Sequence, residues 1–229
     1  DGHPFSMHVF ADAVRSDQPC ALRIEKHVPT REQMAVLMTV RDRVLTEFRL
    51  WKDGCERSDP ERQKRDEPLR GLVHGIPGTG KSKVIFFIRR FFTEALEWEY
   101  GTDFIFVAFQ NRVAHAMKGE TLHAAGNIDI GNRPRVSHTD VDVLFTRNRH
   151  LKWVLVDEVG MISDLLLGCF ETTLSDASDR ESRFKMRADG LRRVFGGYNL
   201  LMLGDFGQLT PLPPGGPIFV PPSDSTETV

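Results

Sequence analysis

Eight residues, Gly75 to Ser82 (GIPGTGKS), have the types and spacing of a phosphate-binding loop, G-x-x-x-x-G-K-[ST]. Glycines and a proline let consecutive backbone N–H groups turn inward and cradle the oxygens of a polyphosphate. Gly75, Gly78, Thr79 and Gly80 would form that cradle. A helix starting there adds partial positive charge where the phosphates sit. The Lys81 ammonium can reach the outer phosphates, and the Ser82 hydroxyl can take Mg²⁺. A second chemical pair, Asp157-Glu158, closes the apolar run LKWVLV. Asp157 would hold Mg²⁺, usually through water, and Glu158 would polarise an attacking water. A strand can end in acidic residues by chance, but a phosphate loop upstream favours the chemical reading. Gln208, just past another apolar run, either senses a γ-phosphate or is ordinary loop polarity.

Four apolar runs must position these groups. Leu69–His74 leads into the phosphate loop, and Asp103–Phe109, Leu151–Val156 and Tyr198–Leu203 have the continuous character of strands buried on both faces. Helical segments alternate with them. Lys81 to about Trp98 carries Phe86, Phe87, Ile88, Phe91 and Phe92, which predicts burial on most of its faces. Met161 to about Leu174 is apolar at helical spacing. The alternation predicts an α/β fold, a parallel sheet with helices on both faces, with the chemical groups at its C-terminal edge. Thr30 to Trp51 reads as an amphipathic helix capped by Thr30 and Gln33. The Gln33 amide could instead recognise adenine; the pattern alone favours the cap.

Within 229 residues the foldable region spans 29–213, after a weakly structured lead-in at 1–28. Glu56–Glu67 holds nine charges in twelve residues and is predicted to be a solvated linker. Ser175–Arg193 is highly charged and predicted to be exposed; Arg192 and Arg193 could touch a nucleic-acid backbone, although a solvated face is favoured. Asn127–Ser137 reads as a loop and Asp140–His150 as a short helix. The proline-rich 214–229 is expected to be a disordered tail. The net charge of −2 excludes a global nucleic-acid signature, so such contacts must be local. Three scattered cysteines suggest reduced thiols in an intracellular compartment. No apolar run is long enough for a membrane span.

These stretches resemble superfamily 1 DNA helicases of the Pif/RecD-like branch. GIPGTGKSKVI resembles motif I, VAFQNRVAHAMKGETLHAAG motif Ia, WVLVDEVGMIS motif II and FGGYNLLMLGDFGQLTPL motif III. Thr30-Arg31-Glu32-Gln33 resembles the upstream Q motif. The resemblance implies the first RecA-like domain of a P-loop NTPase motor using ATP and Mg²⁺. It implies that Gln33 recognises adenine, that Gly75, Gly78, Thr79, Gly80, Lys81 and Ser82 hold phosphates and metal, and that Asp157 and Glu158 are metal-linked acid and base. Gln208 would couple the γ-phosphate to the nucleic acid, and Phe109, Gln110 and His123 would touch single-stranded DNA, although a lone histidine is more often structural. Translocation from 5′ to 3′, duplex unwinding, a nuclear or mitochondrial location, and roles in repair, recombination and telomere maintenance are implied in the same way. Departures from the pattern are Phe109-Gln110-Asn111 for Pro-Thr-Gly, Gly160 for Ser, Thr210 for Pro, and a long gap from Gln33 to Gly75. Nothing after motif III resembles a second RecA-like domain, so slow hydrolysis without unwinding is expected of this chain alone.

Overall fold

The computed structural model describes residues 28–53, 66–129, 143–144, 146–147, 149–178, 186–187, 189–211 and 215–219. Residues 1–27 of the lead-in, most of the charged linker, the 130–142 part of the predicted loop and helix, 179–185 of the predicted exposed segment, and the end of the tail lie outside these residues.

The apolar runs become strands of one parallel sheet: β1 (Arg70–His74), β2 (Phe104–Ala108), β4 (Trp153–Asp157) and β5 (Asn199–Gly204). Glu120–Thr121 forms a further two-residue strand, β3, beside Val107 and Ala108. Its two polar residues carry no apolar pattern, so the sequence shows no strand there. The order is β1-β5-β4-β2-β3, and each pairing is parallel. β2 and β4 are buried at every residue, as central strands of a parallel sheet must be. β1 is different: it bonds to β5 alone among the described residues, and its residues alternate between exposed and half-buried.

Successive side chains of a strand point to opposite faces. Phe104, Phe106, Trp153 and Leu155 therefore join one core with α1 (Arg31–Lys52) and α2 (Lys81–Arg90). Ile105, Val107, Val154 and Val156 join a second core with α4 (Leu122–Gly126) and α5 (Asp164–Ser178). Helices thus cover both faces. A short α3 (Asn111–Ala116) connects β2 to β3. α2 runs on through a π-helical turn, Phe91–Ala95, which carries Phe92 into the first core. There its ring meets Trp98, Phe104 and Trp153 at centroid distances of 4.9, 5.1 and 5.4 Å.

Several segments differ from expectation. Phe86 is 52% exposed, because α2 turns it away from both cores. α5 starts at Asp164, after a 3₁₀ turn at Val159–Met161, and runs to Ser178 with Thr173, Ser175 and Ser178 buried. Arg193 is buried and faces Glu67 across 3.5 Å, so it is no solvated surface cation. Asp66, at the end of the charged segment, is fully buried against Arg43. Arg43 also bonds to Glu47 and Asn199, at 2.9 and 2.8 Å, and a charge is buried only where such partners replace water. The start of the tail is docked: Gly216 N–H donates to the Asp164 carboxylate at 2.8 Å, and Asp164 N–H donates back to Gly216 O at 2.9 Å.

Candidate nucleotide site

The three chemical loops share one structural root. Gly75 N–H donates to Gly204 O at 3.2 Å, joining the start of the phosphate loop to the end of β5. A Cβ on Gly160 would lie 2.5 Å from Asp205 O, so the turn after the acidic pair touches the loop after β5 backbone to backbone. The contact admits no side chain, which explains glycine where the resemblance would place serine. Parallel pairing brings the ends of β1, β5 and β4 to one edge, and these contacts lock them there.

The phosphate loop turns through Gly78 and Gly80, both at positive φ (80° and 83°), so α2 begins at Lys81. The Lys81 ammonium donates to Gly75 O and to Ile76 O, the latter at 3.1 Å, curling over its own loop. Ser82 is exposed, and Thr79 donates its hydroxyl to Ile76 O at 2.9 Å.

Gln33 is almost fully buried and belongs to the same loop. Its Oε1 accepts from Thr30 N–H at 3.1 Å, and its own N–H donates to Thr30 Oγ1 at 3.3 Å, a reciprocal cap. Its Nε2 donates to Thr79 O and Gly80 O, at 3.2 and 3.3 Å. The amide therefore ties the start of α1 to the phosphate loop while capping the helix.

Asp157 ends β4, buried, with Oδ1 accepting from Glu158 N–H at 2.8 Å. Burial raises its carboxyl above the usual range, outweighing that N–H and the nearby Lys81 charge. Glu158 is also raised, first by burial and then by the Asp157 charge. Its φ of 55° is left-handed, a conformation costing a non-glycine residue about 1–2 kcal/mol. Its Oε2 is buried without a hydrogen-bond partner among the described residues. An orphaned carboxylate oxygen at a strained residue suits a group waiting for water or ligand. No cluster of three metal-ligating side chains occurs among the described residues. One carboxylate and one hydroxyl instead suit Mg²⁺, which takes few protein donors and completes its shell with phosphate oxygens and water.

Gln208 stands in the loop after β5, with N–H donating to Asp205 O at 3.4 Å and its side chain exposed. Phe109 and His123 come together at the ends of β2 and β3, ring centroids 6.2 Å apart. Burial lowers the His123 pKa. Gln110 Nε2 donates to Met161 Sδ at 3.4 Å, linking this aromatic corner to the turn behind the acidic pair. Three rings separated in sequence also meet: His74, last residue of β1, stacks on Phe206 at 5.3 Å, and Phe206 meets Phe219 at 5.0 Å. Their sequence separation left no local pattern.

A glycine cradle with its lysine at the edge of a parallel sheet, facing a buried acidic pair, defines a P-loop NTPase domain of RecA-like fold. The chain matches the PIF1-like helicase family over residues 62–217, and it belongs to that family. None of the curated proteins matches it significantly. Among solved structures it is similar to Pif1 helicase from Candida albicans (TM-score 0.55, 20% identity), covering 82% of this chain and 34% of that one. It is also similar to Pif1 helicase from Bacteroides in complex with ADP-AlF3 and ssDNA (TM-score 0.52, 19% identity; 82% and 35% covered). The chain thus spans about a third of the length of these relatives.

Proposed function

We propose that the chain is the first motor domain of an ATP-dependent helicase that moves 5′ to 3′ along single-stranded DNA. The observation that carries this is the shared root of the phosphate loop, the acidic pair and the Gln208 loop through Gly75, Gly204 and Gly160. A change in phosphate occupancy at one loop is felt at the others, which a motor needs. Gly78, Thr79 and Gly80 N–H groups hold the phosphates, and Lys81 leaves its own carbonyls to meet them. Ser82 and Asp157 would hold Mg²⁺, which when bound neutralises phosphate charge. Glu158, its Oε2 without a hydrogen-bond partner among the described residues, orients and deprotonates the attacking water. Gln208 senses the γ-phosphate from the adjoining loop. Gln33 contacts adenine only by releasing Thr79 O and Gly80 O, which makes it a reporter of loop state. Phe109 and His123 offer rings on which bases stack, and Gln110 links them to Met161.

Lys81→Ala is expected to abolish ATP hydrolysis, and Glu158→Gln to abolish hydrolysis while retaining ATP–Mg²⁺ binding. Hydrolysis at the parental rate in Lys81→Ala would remove the site assignment. The rest of the cleft is expected from a second RecA-like domain. An arginine supplied across such a cleft is worth about 10³–10⁵ in turnover in other P-loop enzymes. The chain alone is therefore expected to bind nucleotide, hydrolyse it slowly and leave forked duplexes intact. Comparing ATPase stimulation by single-stranded DNA and RNA tests the polymer.

A further inference from the structure

α2 and α3 leave a cavity of about 760 Å³ between them. Its wall runs from Ser82 past Phe86 on α2 and is completed by Arg112, Val113, Met117 and Lys118 on and after α3. Phe86 is an unusual surface residue, with half of its area in water. The Arg112 guanidinium and Lys118 ammonium have no ion-pair or hydrogen-bond partner among the described residues. The other cations there are engaged: Arg89 donates to Met117 O at 2.7 Å, and Arg90 pairs with Glu94 at 2.5 Å.

From this arrangement we propose that the cavity is a subsite for single-stranded nucleic acid, with one base on the Phe86 ring and the flanking phosphates on Arg112 and Lys118. The proposal rests on the DNA-binding reading above and extends it to Phe86, just past the motif I stretch, and to Arg112 and Lys118 within the motif Ia stretch. An exposed ring lining one cavity with two uncommitted cations matches a nucleotide, which presents a flat π face and anionic oxygens together. An acidic peptide would use the cations and leave the ring without a flat partner. Arg112 follows Gln110 by two residues and stands in the first turn of α3. Phe86 lies one helical turn below Ser82, so occupancy there presses on the helix that begins at the phosphate loop.

Oligo(dT) binding to the 229-residue chain, followed by fluorescence anisotropy over a range of salt, tests this. Phe86→Ala is expected to weaken binding about tenfold, and Phe86→Trp to restore it. Arg112→Ala with Lys118→Ala is expected to reduce the slope of log affinity against log salt by about 1.4. Nucleotide affinity without DNA is expected to stay unchanged in all of them. Parental affinity and salt slope in these variants, with loss in Phe109→Ala, would overturn the subsite and leave the DNA reading standing. No oligo(dT) binding by the parent would overturn both. Protection of the cavity by an acidic peptide but not by oligo(dT) would make it a protein-docking surface and overturn the proposal.

Discussion

Asp157 and Glu158 place two carboxylates side by side at a buried strand end, and the fold pays for this in free energy. Both carboxyls are raised above their ordinary range, chiefly by burial. A raised carboxyl binds protons more tightly in the folded than in the unfolded chain. Its stabilising contribution is present below the ordinary value of 3.8 for Asp157 and is lost as pH rises through the raised one. Asp157→Asn cannot ionise and keeps an oxygen for Glu158 N–H. In the nucleotide-free chain it is expected to melt higher than the parent at neutral pH and to lose that advantage near pH 4; an advantage independent of pH would refute the ionisation account. Residue types in the motifs made the acid pair, the lysine and the serine legible in the sequence. The left-handed backbone of Glu158 was not, because glutamate has no local preference for it.

At the scale of elements, the turn after β4 and the loop after β5 meet through glycine. Ser at position 160 would thrust its Cβ to within 2.5 Å of Asp205 O, where backbone on both sides cannot swing away. Gly160→Ser is expected to cost about 1–3 kcal/mol, lowering the melting temperature by several degrees, and to uncouple the Gln208 loop from the acidic pair. A calorimetric scan checks the first, and hydrogen exchange at 205–208 the second. Substitution without loss of stability would show that the two loops part easily. The four apolar strands were legible because a parallel sheet buries them on both faces. Two-residue β3 was not, since its Glu and Thr are held by the neighbour Ala108 and Val107 rather than by their own pattern. Nor was exposed Phe86, since five aromatic and aliphatic residues in a row cannot all face a core while α2 has one wet side.

At the scale of the whole molecule, the two ends of the sheet's strands are fixed by different means. Opposite the nucleotide edge, Arg43, Glu47, Asp66 and Asn199 form a buried network that ties α1 and the end of the charged segment to β5. Asp66→Ala leaves Arg43 short of a carboxylate, and a loss of about 3–5 kcal/mol is expected in urea unfolding. Charge density alone made this segment read as solvated, because a composition does not say which of its acids meets a buried arginine. β1, which carries the phosphate loop, is also the last strand of the sheet among the described residues, with Leu72 about half exposed. A strand margin without a neighbour is a template for another strand. Among the described residues, the strand that carries the phosphate loop is thus also the one whose open ladder another strand could extend.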